Sequence, residues 1–442
     1  MFKNYFKITW RNITRNKVSG FINISGLATG LCCVMLILFY VQDELKYDTS
    51  FKDAKRIYQV NLSGVFGGTE FNADATPPPA GKALTTAFSE VETYTRVYRP
   101  GDQVVRYEGK QAQSFFTEKN ILAADSNFFQ LFNYLLKEGD PATCLQKPNT
   151  VVITEQTAKK YFGKNSPIGK LMLFGNEKTP FIVTGLLQKL PSQSTLQFDM
   201  LTSMSSYALV KYFDWSWVWC NVGTFVKLKE NVSTDAASVR KLEAKFPAMV
   251  KQQAASAFDR IGQPFDEFIR KGGKWDFYLQ PLTAIHLHSE GISSWHQNLG
   301  DIKYIYIFSV IAFFIIILAC VNFMNLSTAQ SAKRSKEVGI RKVLGSVKGQ
   351  LVKQFLTEAI LLSFISTVLA IVLVAVLLKP FNMIAEKNLQ FDLLFEKNNL
   401  LYITALTLVT GLVAGSYPAF YLTSFNPVQV LKGMKQVRSN FG

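Results

Sequence analysis

The stretch that decides the fold is residues 332–358, AKRSKEVGIRKVLGSVKGQLVKQFLTE, which lies between two long apolar segments. Over residues 333–353 it carries seven Lys or Arg and one acid, Glu337. Apolar residues recur there at helical spacing, namely Ile340, Val343, Leu344, Val347, Leu351 and Phe355. This pattern is typical of short amphipathic helices at a membrane surface. Gly345 and Ser346 predict a bend, because Gly often ends a helix and Ser often caps the next one.

Outward from this stretch, the chain contains four uncharged apolar runs. They cover residues 18–42, 304–332, 359–378 and 398–431. Crossing a bilayer core of about 30 Å takes about 20 helical residues, so each run is long enough to span a membrane. We therefore predict transmembrane helices at 18–42, about 304–332, 359–378 and 399–421. We expect the last helix to end near Tyr417-Pro418.

The distribution of the net charge of +16 predicts the orientation of these helices. Segments 1–17, 333–358 and 432–442 together carry 15 Lys or Arg and two acids, whereas 43–303 carries 30 against 27. By the positive-inside rule, both termini and the 333–358 loop are cytoplasmic and 43–303 is outside. The excess of Lys and Arg is then explained by membrane orientation, and we do not expect nucleic acid as a partner.

The N-terminal segment 1–17 has the pattern of an interfacial helix on the lipid bilayer. Its cations fall four residues apart beside an apolar stripe, and we predict that they contact the membrane surface: Lys3, Lys7, Arg11 and Arg15. The run that follows, 18–42, has no small-residue cleavage site after it, so we expect an anchor and not a removed signal peptide. Gly26 and Gly30, like Gly411 and Gly415, form GxxxG pairs that favour close helix packing, although such pairs also arise by chance.

Segment 43–303 mixes strands and helices without a strict alternation, which favours the α+β class. Strands are predicted by β-branched and aromatic content at 56–63, 93–98, 104–107, 181–186, 223–228 and 275–279. Helices are predicted at 155–162 and 233–246, the second capped by Ser233 or Thr234 and stopped by Pro247. The predicted fold is a membrane protein with four transmembrane α-helices and a large α+β extracytoplasmic domain inserted between helices 1 and 2.

Catalytic and cofactor motifs are weak in this chain. The stretch 163–171 has five residues between its glycines and Leu171 where a phosphate loop needs Ser or Thr, so we expect no ATP binding by this chain and no other cofactor. Metal binding is not predicted from the three histidines, His286, His288 and His296, which are more typical of structural residues along a strand. A Cys144–Cys220 disulfide stays open, since both cysteines fall in the outside segment.

The membrane runs contain no Asp, Glu, Lys, Arg or His. Ion-coupled transporters and proton relays usually need such groups inside the membrane. We therefore predict that the chain takes its energy from elsewhere. Because it has few histidines, no localised Ser/His/Asp arrangement and no ATP-binding motif, we also expect that it is not itself an enzyme.

The sequence from Lys336 to Gly345, KEVGIRKVLG, resembles the signature of MacB/FtsX-type ABC transporter permease subunits. Supporting stretches are 24–30, 128–129, 151–154, 161–163, 167–170 and 281–288. The resemblance implies a MacB-like periplasmic core domain at 43–303, an FtsX-like permease domain at 304–431 with its coupling loop at 333–358, and a cytoplasmic tail at 432–442. It also implies that the residues facing a separate cytoplasmic ATPase are Glu337, Gly339, Arg341, Lys342, Leu344 and Gly345.

In function, the resemblance implies mechanotransmission, in which a cytoplasmic ABC ATPase drives motion of the periplasmic domain for export or release of a substrate across the inner membrane. It implies a second permease unit, as a homodimer or with a paralogue, and a periplasmic or outer-membrane partner. Two alternatives stay open: an FtsX-like or antibiotic-sensing regulator, and a membrane-anchored binding protein. It also stays open whether the chain is a natural half-length subunit or a truncated copy of a longer one.

Overall fold

The computed structural model describes residues 17–109, 113–188, 190–329, 338–340 and 342–424. It divides into two compact units. The first comprises Met1–Asp43 and Lys303–Gly442 and is called the membrane unit below. The second comprises Glu44–Ile302 and is called the inserted domain. Each unit is described separately.

Four of the helices in the described residues are long and apolar enough to cross a membrane, as predicted: α1, α9, α10 and α11. In chain order the helices are α1 (Lys17–Leu45), α2 (Ala80–Ala87), α3 (Phe128–Phe132), α4 (Glu155–Phe162), α5 (Ala208–Tyr212), α6 (Ala236–Glu243), α7 (Phe246–Arg260), α8 (Phe265–Arg270), α9 (Ile302–Ala329), α10 (Lys348–Ala385) and α11 (Lys397–Ser424).

The predicted boundaries of two membrane helices are wrong. Helix α10 is one continuous helix of 38 residues, about 57 Å at 1.5 Å per residue, and it includes the charged turns that were assigned to the loop. The loop before it therefore ends at Val347. Helix α11 continues through Pro418 to Ser424. An uncharged run marks the part of a helix that lies in lipid, but the backbone hydrogen bonds continue beyond it, and membrane helices tolerate an internal proline.

Both predicted GxxxG pairs lie at helix contacts within the membrane unit. A Cβ on Gly30 would lie 2.8 Å from the Cβ of Ala319, so α1 and α9 are in close contact there. A Cβ on Gly411 would lie 2.8 Å from the Cα of Ile360, and one on Gly415 would lie 2.5 Å from the Cβ of Ala359. These contacts join α10 and α11. The absence of a side chain at these glycines is what allows the backbones to approach.

The inserted domain is built on one mixed sheet. Its strands are β1 (Ile57–Phe66), β2 (Thr69–Ala73), β3 (Val91–Tyr98), β4 (Gln103–Glu108), β5 (Gln113–Glu118), β6 (Ile121–Ala124), β7 (Leu136–Glu138), β8 (Thr150–Thr154), β9 (Leu171–Phe174), β10 (Thr179–Leu187), β11 (Met200–Ser203), β12 (Gly223–Leu228) and β13 (Lys274–Pro281). Their order in the sheet is β13-β1-β12-β3-β6-β11-β8-β10-β9-β4-β5, with β2 beside β1 and β7 beside β10. Strand β8 pairs in parallel with β10, and β6 pairs in parallel with β11. The α+β prediction and all six predicted strands are confirmed, with boundaries shifted by up to three residues.

Helices cover parts of the sheet and enclose its cores. Helices α2, α6, α7 and α8 contribute to one apolar cluster with β1, β12 and β13. Helix α4 closes a second cluster with β8, β9 and β10. The predicted helix at 155–162 is confirmed, whereas the one at 233–246 is wrong in detail. Asp235 caps α6 by accepting hydrogen bonds from the N–H groups of Ala237 and Ser238, and Pro247 lies in the first turn of α7. Proline is compatible with a first turn because that position needs no N–H donor.

Candidate functional site

The segment that joins α9 to α10 is the candidate functional site, and its described part begins at Val338. Residues 338–340 and 342–343 are helical. The helix ends where the Leu344 N–H donates to the Ile340 carbonyl (3.0 Å) and the Gly345 N–H donates to the Lys342 carbonyl (3.1 Å). Gly345 has φ +92°, a conformation that side chains disfavour, so the predicted helix stop at this glycine is confirmed.

The predicted restart of the helix at Ser346 is wrong. Val347 is extended and occupies the position before α10, without a side-chain cap. The first N–H groups of α10 therefore donate no hydrogen bond to a side-chain hydroxyl of the preceding residue. The bend itself is present, and it places a short turn between two helical segments.

Four apolar side chains of this segment face away from the protein. They are Ile340, Val343, Leu344 and Val347, which we call the apolar patch. Leu344 is 79% exposed, although leucine normally lies in a core. The preceding residues Val338 and Gly339 are buried. The segment therefore has a buried part, at Val338 and Gly339, and an exposed part, the apolar patch.

The Lys342 side chain forms an intramolecular hydrogen bond that the sequence did not predict. Its Nζ donates to the carbonyl oxygen of Thr423, at a distance of 2.7 Å. Thr423 lies in the last turn of α11, where helix carbonyls have no partner within the helix and carry partial negative charge. The lysine therefore anchors the segment to the end of α11.

An open groove of about 510 Å³ lies beside the apolar patch. It is lined along α10 by Lys348, Val352, Lys353, Leu356 and Ile360, and across from them by Phe420 of α11. Apolar walls with lysines at one end match an amphipathic partner that carries acidic side chains.

The remaining predicted site residues lie outside the described residues. They include the four cations predicted to contact the membrane surface, namely Lys3, Lys7, Arg11 and Arg15. They also include Glu337 and Arg341, which are predicted to face the ATPase. The structure places Gly339 and Lys342 in the short helical part of this segment, and Leu344 and Gly345 in the turn that ends it. Of these, only Leu344 and Gly345 are exposed.

The inserted domain contains the stretch 163–171, the three histidines and two of the cysteines. The stretch 163–171 follows α4 and precedes β9, whereas a phosphate loop follows a strand and precedes a helix. His286 and His288 follow a short 3-10 turn and do not alternate along a strand, so that expectation is wrong. Within the described residues, no group of three or more His, Cys, Asp or Glu could hold a metal ion. Cys144 and Cys220 are free thiols.

Comparison with known proteins agrees with this architecture. MacB-like periplasmic core domains match residues 21–241, which is half of the chain, and the FtsX-like permease C-terminal family matches residues 309–427. The macrolide export ATP-binding/permease protein MacB of Mannheimia succiniciproducens is 23% identical over 72% of this chain and 44% of its own length. The pyoverdine export ATP-binding/permease protein PvdT of Pseudomonas entomophila is 26% identical over 75% of this chain and 45% of its own.

A solved structure of the periplasmic region of MacB from Actinobacillus actinomycetemcomitans aligns with a TM-score of 0.34 and 16% identity, over 51% of this chain and 90% of that one. The chain spans about half the length of the curated relatives it matches. Both matched families are permease parts, and the four apolar helices agree with a multi-pass protein of the inner membrane. The chain therefore belongs to the MacB/FtsX-type family of ABC transporter permeases.

Proposed function

We propose that this chain is the permease subunit that couples ATP hydrolysis by a separate cytoplasmic ABC ATPase to motion of its periplasmic domain, for export or release of a substrate. The observation that carries the proposal is the apolar patch, held outward on an anchored turn between two membrane helices. No catalytic residue is assigned to the chain, because its task is mechanical.

The apolar patch has the properties of a docking surface. Burying a leucine side chain contributes about 1.5–3 kcal/mol, so four adjacent exposed apolar side chains favour a partner that covers them. Lys348 next to the patch and Lys353 in the groove favour acidic side chains on that partner. In this arrangement Leu344 inserts into the ATPase, Gly345 makes the bend, and Glu337 and Arg341 complete the contact. Gly339 is buried and takes part only by lying behind the exposed turn. Lys342 acts differently, as the anchor to α11.

Movement of the patch has a continuous route through the membrane unit. Helix α10 runs without interruption from Lys348, beside the patch, to Ala385. Just beyond its end, the Nζ of Lys387 lies 3.2 Å from the carboxylate of Asp43 near the end of α1. Helices α1 and α9 touch again where Tyr40 packs edge-on against Phe308 at a centroid distance of 5.3 Å. Because the inserted domain continues from α1 and leads into α9, displacement of these helices moves it.

The orientation and partners form part of the proposal. The basic N-terminal segment, coupling segment and C-terminal segment face the cytoplasm, where the ATPase binds, and the inserted domain faces the periplasm. Residues 1–17 lie on the bilayer surface through their four spaced cations. A second permease unit completes the complex, and a periplasmic or outer-membrane partner receives the substrate. An export role is supported by the relatives, which are macrolide and pyoverdine export proteins.

The test is co-expression of the tagged chain with ABC ATPases from its own genome, purification in mild detergent, and measurement of ATP turnover. We expect a stoichiometric ATPase whose turnover changes when the permease is present. The matched variant Leu344→Ala should lose most of this response, whereas Leu135→Ala, an equivalent change on the inserted domain, should retain it. A chain that binds no ATPase would contradict the proposal and leave a membrane-anchored binding protein.

A further inference from the structure

The two chain ends of the inserted domain meet at one buried histidine. The chain enters the domain at Glu44, in the last turn of α1, and leaves it at Ile302, the first residue of α9. The Nε2 atom of His286 lies 2.9 Å from the Oε2 atom of Glu44, and its Nδ1 atom lies 2.9 Å from the carbonyl oxygen of Asn298. The His286 and Glu44 side chains are only 4% and 5% exposed. One imidazole ring therefore contacts both ends of the domain.

Backbone hydrogen bonds strengthen the same junction. The Gly300 N–H donates to the His286 carbonyl (2.9 Å), and the Ile302 N–H donates to the Leu287 carbonyl (3.2 Å). A Cβ on Gly300 would lie 2.6 Å from the Glu44 carboxylate and 2.9 Å from the His286 ring. The exit segment can lie this close to the pair only because residue 300 has no side chain.

The entry segment is fixed on its other side. The Tyr47 ring stacks on His286 with a centroid distance of 3.4 Å and an interplanar angle of 3°. The buried Asp48 carboxylate accepts hydrogen bonds from the Ser194 hydroxyl (2.9 Å) and the Thr195 hydroxyl (2.8 Å). Residues 44–48 are thus held in place by both the histidine and the loop around residue 195.

Both ring nitrogens of His286 have a hydrogen-bond partner. The Asn298 carbonyl can only accept, so Nδ1 is the donor in that hydrogen bond. Nε2 is hydrogen-bonded to the Glu44 carboxyl group. Because both nitrogens are hydrogen-bonded, the cost of burying this polar ring is lowered.

We propose that Glu44 and His286 are positioning residues that clamp the two ends of the inserted domain together, so that displacement of α1 or α9 moves the domain as one body. This role rests on the proposed function, since it concerns the transmission of ATPase-driven motion. Without the clamp, the exit segment 298–302 would stretch locally and absorb part of the displacement. The pair acts through the chain ends and touches no substrate.

The first test is hydrogen exchange of the full-length chain in detergent, without nucleotide, followed at the Gly300 and Ile302 amides. His286→Phe keeps a ring that stacks on Tyr47 but removes both hydrogen bonds. We expect these amides to exchange at least about tenfold faster, equivalent to about 1.4 kcal/mol of local opening free energy. Glu44→Gln retains a hydrogen-bonding amide opposite Nε2 and should stay within about threefold of wild type.

The double variant Glu44→Leu/His286→Phe distinguishes loss of the clamp from a general folding defect, because replacing a buried pair with apolar side chains often preserves stability. Its core amides, such as Val60 in β1, should exchange as in the wild type while Gly300 and Ile302 exchange faster. Unchanged exchange at Gly300 and Ile302 in both His286 variants would overturn the clamp.

The second test uses the complex with the ATPase. Spin labels at positions 209 and 401 report the distance between the inserted domain and α11, with and without trapped ATP. We expect the double variant to hydrolyse ATP normally but to lose at least half of the ATP-driven distance change, and Glu44→Gln to retain it. A full distance change in the double variant would refute the positioning role. If wild type bound no ATPase, the proposed coupling would be wrong, and the exchange result would still decide whether the clamp exists.

Discussion

Truncation of Leu344 isolates the apolar patch from the rest of the fold. The side chain is 79% exposed, and the turn that carries it is held by backbone hydrogen bonds and by the left-handed Gly345. Leu344→Ala should therefore leave the stability of the chain unchanged. If the ATPase buries this side chain, the lost transfer free energy is about 1.5–2 kcal/mol, which weakens binding roughly 10- to 30-fold.

The matched control is Leu135→Ala, because Leu135 is 69% exposed and lies on the inserted domain. The assay is a titration of each purified chain with the cognate ATPase in detergent, which gives Kd, followed by ATP turnover at saturation. We expect a higher Kd for Leu344→Ala and a wild-type Kd for Leu135→Ala. Equal affinities for all three chains would refute the assignment of the patch as the docking surface.

Three further predictions concern the two units separately. Gly411→Ala places a Cβ 2.8 Å from the Ile360 backbone and should lower the stability of the membrane unit by about 1–3 kcal/mol, measured by thermal melting in detergent. The control Gly349→Ala should not lower this stability, because the space around Gly349 is open. Burial raises the pKa of Asp74 from 3.8 to about 6. Its stabilising contribution is therefore complete below pH 3.8 and is lost as the pH rises through 6. The melting temperature of Asp74→Asn should rise relative to that of wild type between about pH 4 and 6, and a difference in melting temperature that stays constant with pH would contradict this. Burial raises the pKa of Cys144 to about 11, so maleimide should label this thiol in the folded chain at pH 7.5 at least about 100-fold more slowly than in the unfolded chain, and rapid labelling would contradict its burial.

Local chemistry explains which features the sequence could predict. Gly345 ends a helix because of its own backbone freedom, and the strand at 223–228 shows its β-branched and aromatic content directly. Uncharged runs located the membrane helices because lipid excludes charge over a fixed length. The end of α11 differs from the prediction because a proline that usually ends a soluble helix is tolerated in a membrane helix.

Features that depend on distant residues could not be predicted. Glu44 and His286 are 242 positions apart, and nothing near either residue indicates the other. Lys342 resembles the other cations of its loop, and only the position of α11 makes it an anchor. The GxxxG pairs were visible, but whether another backbone lies against them depends on the folded arrangement of helices.

The central claim is that ATP hydrolysis on a partner moves the inserted domain through this chain. The most direct measurement is the distance distribution between spin labels at positions 209 and 401 of otherwise wild-type chain, in complex with its ATPase and reconstituted in bilayers. We predict a shift of several ångströms between the nucleotide-free and ATP-trapped states, and no shift when the ATPase is omitted. An unchanged distribution in a complex that binds and hydrolyses ATP would contradict the account.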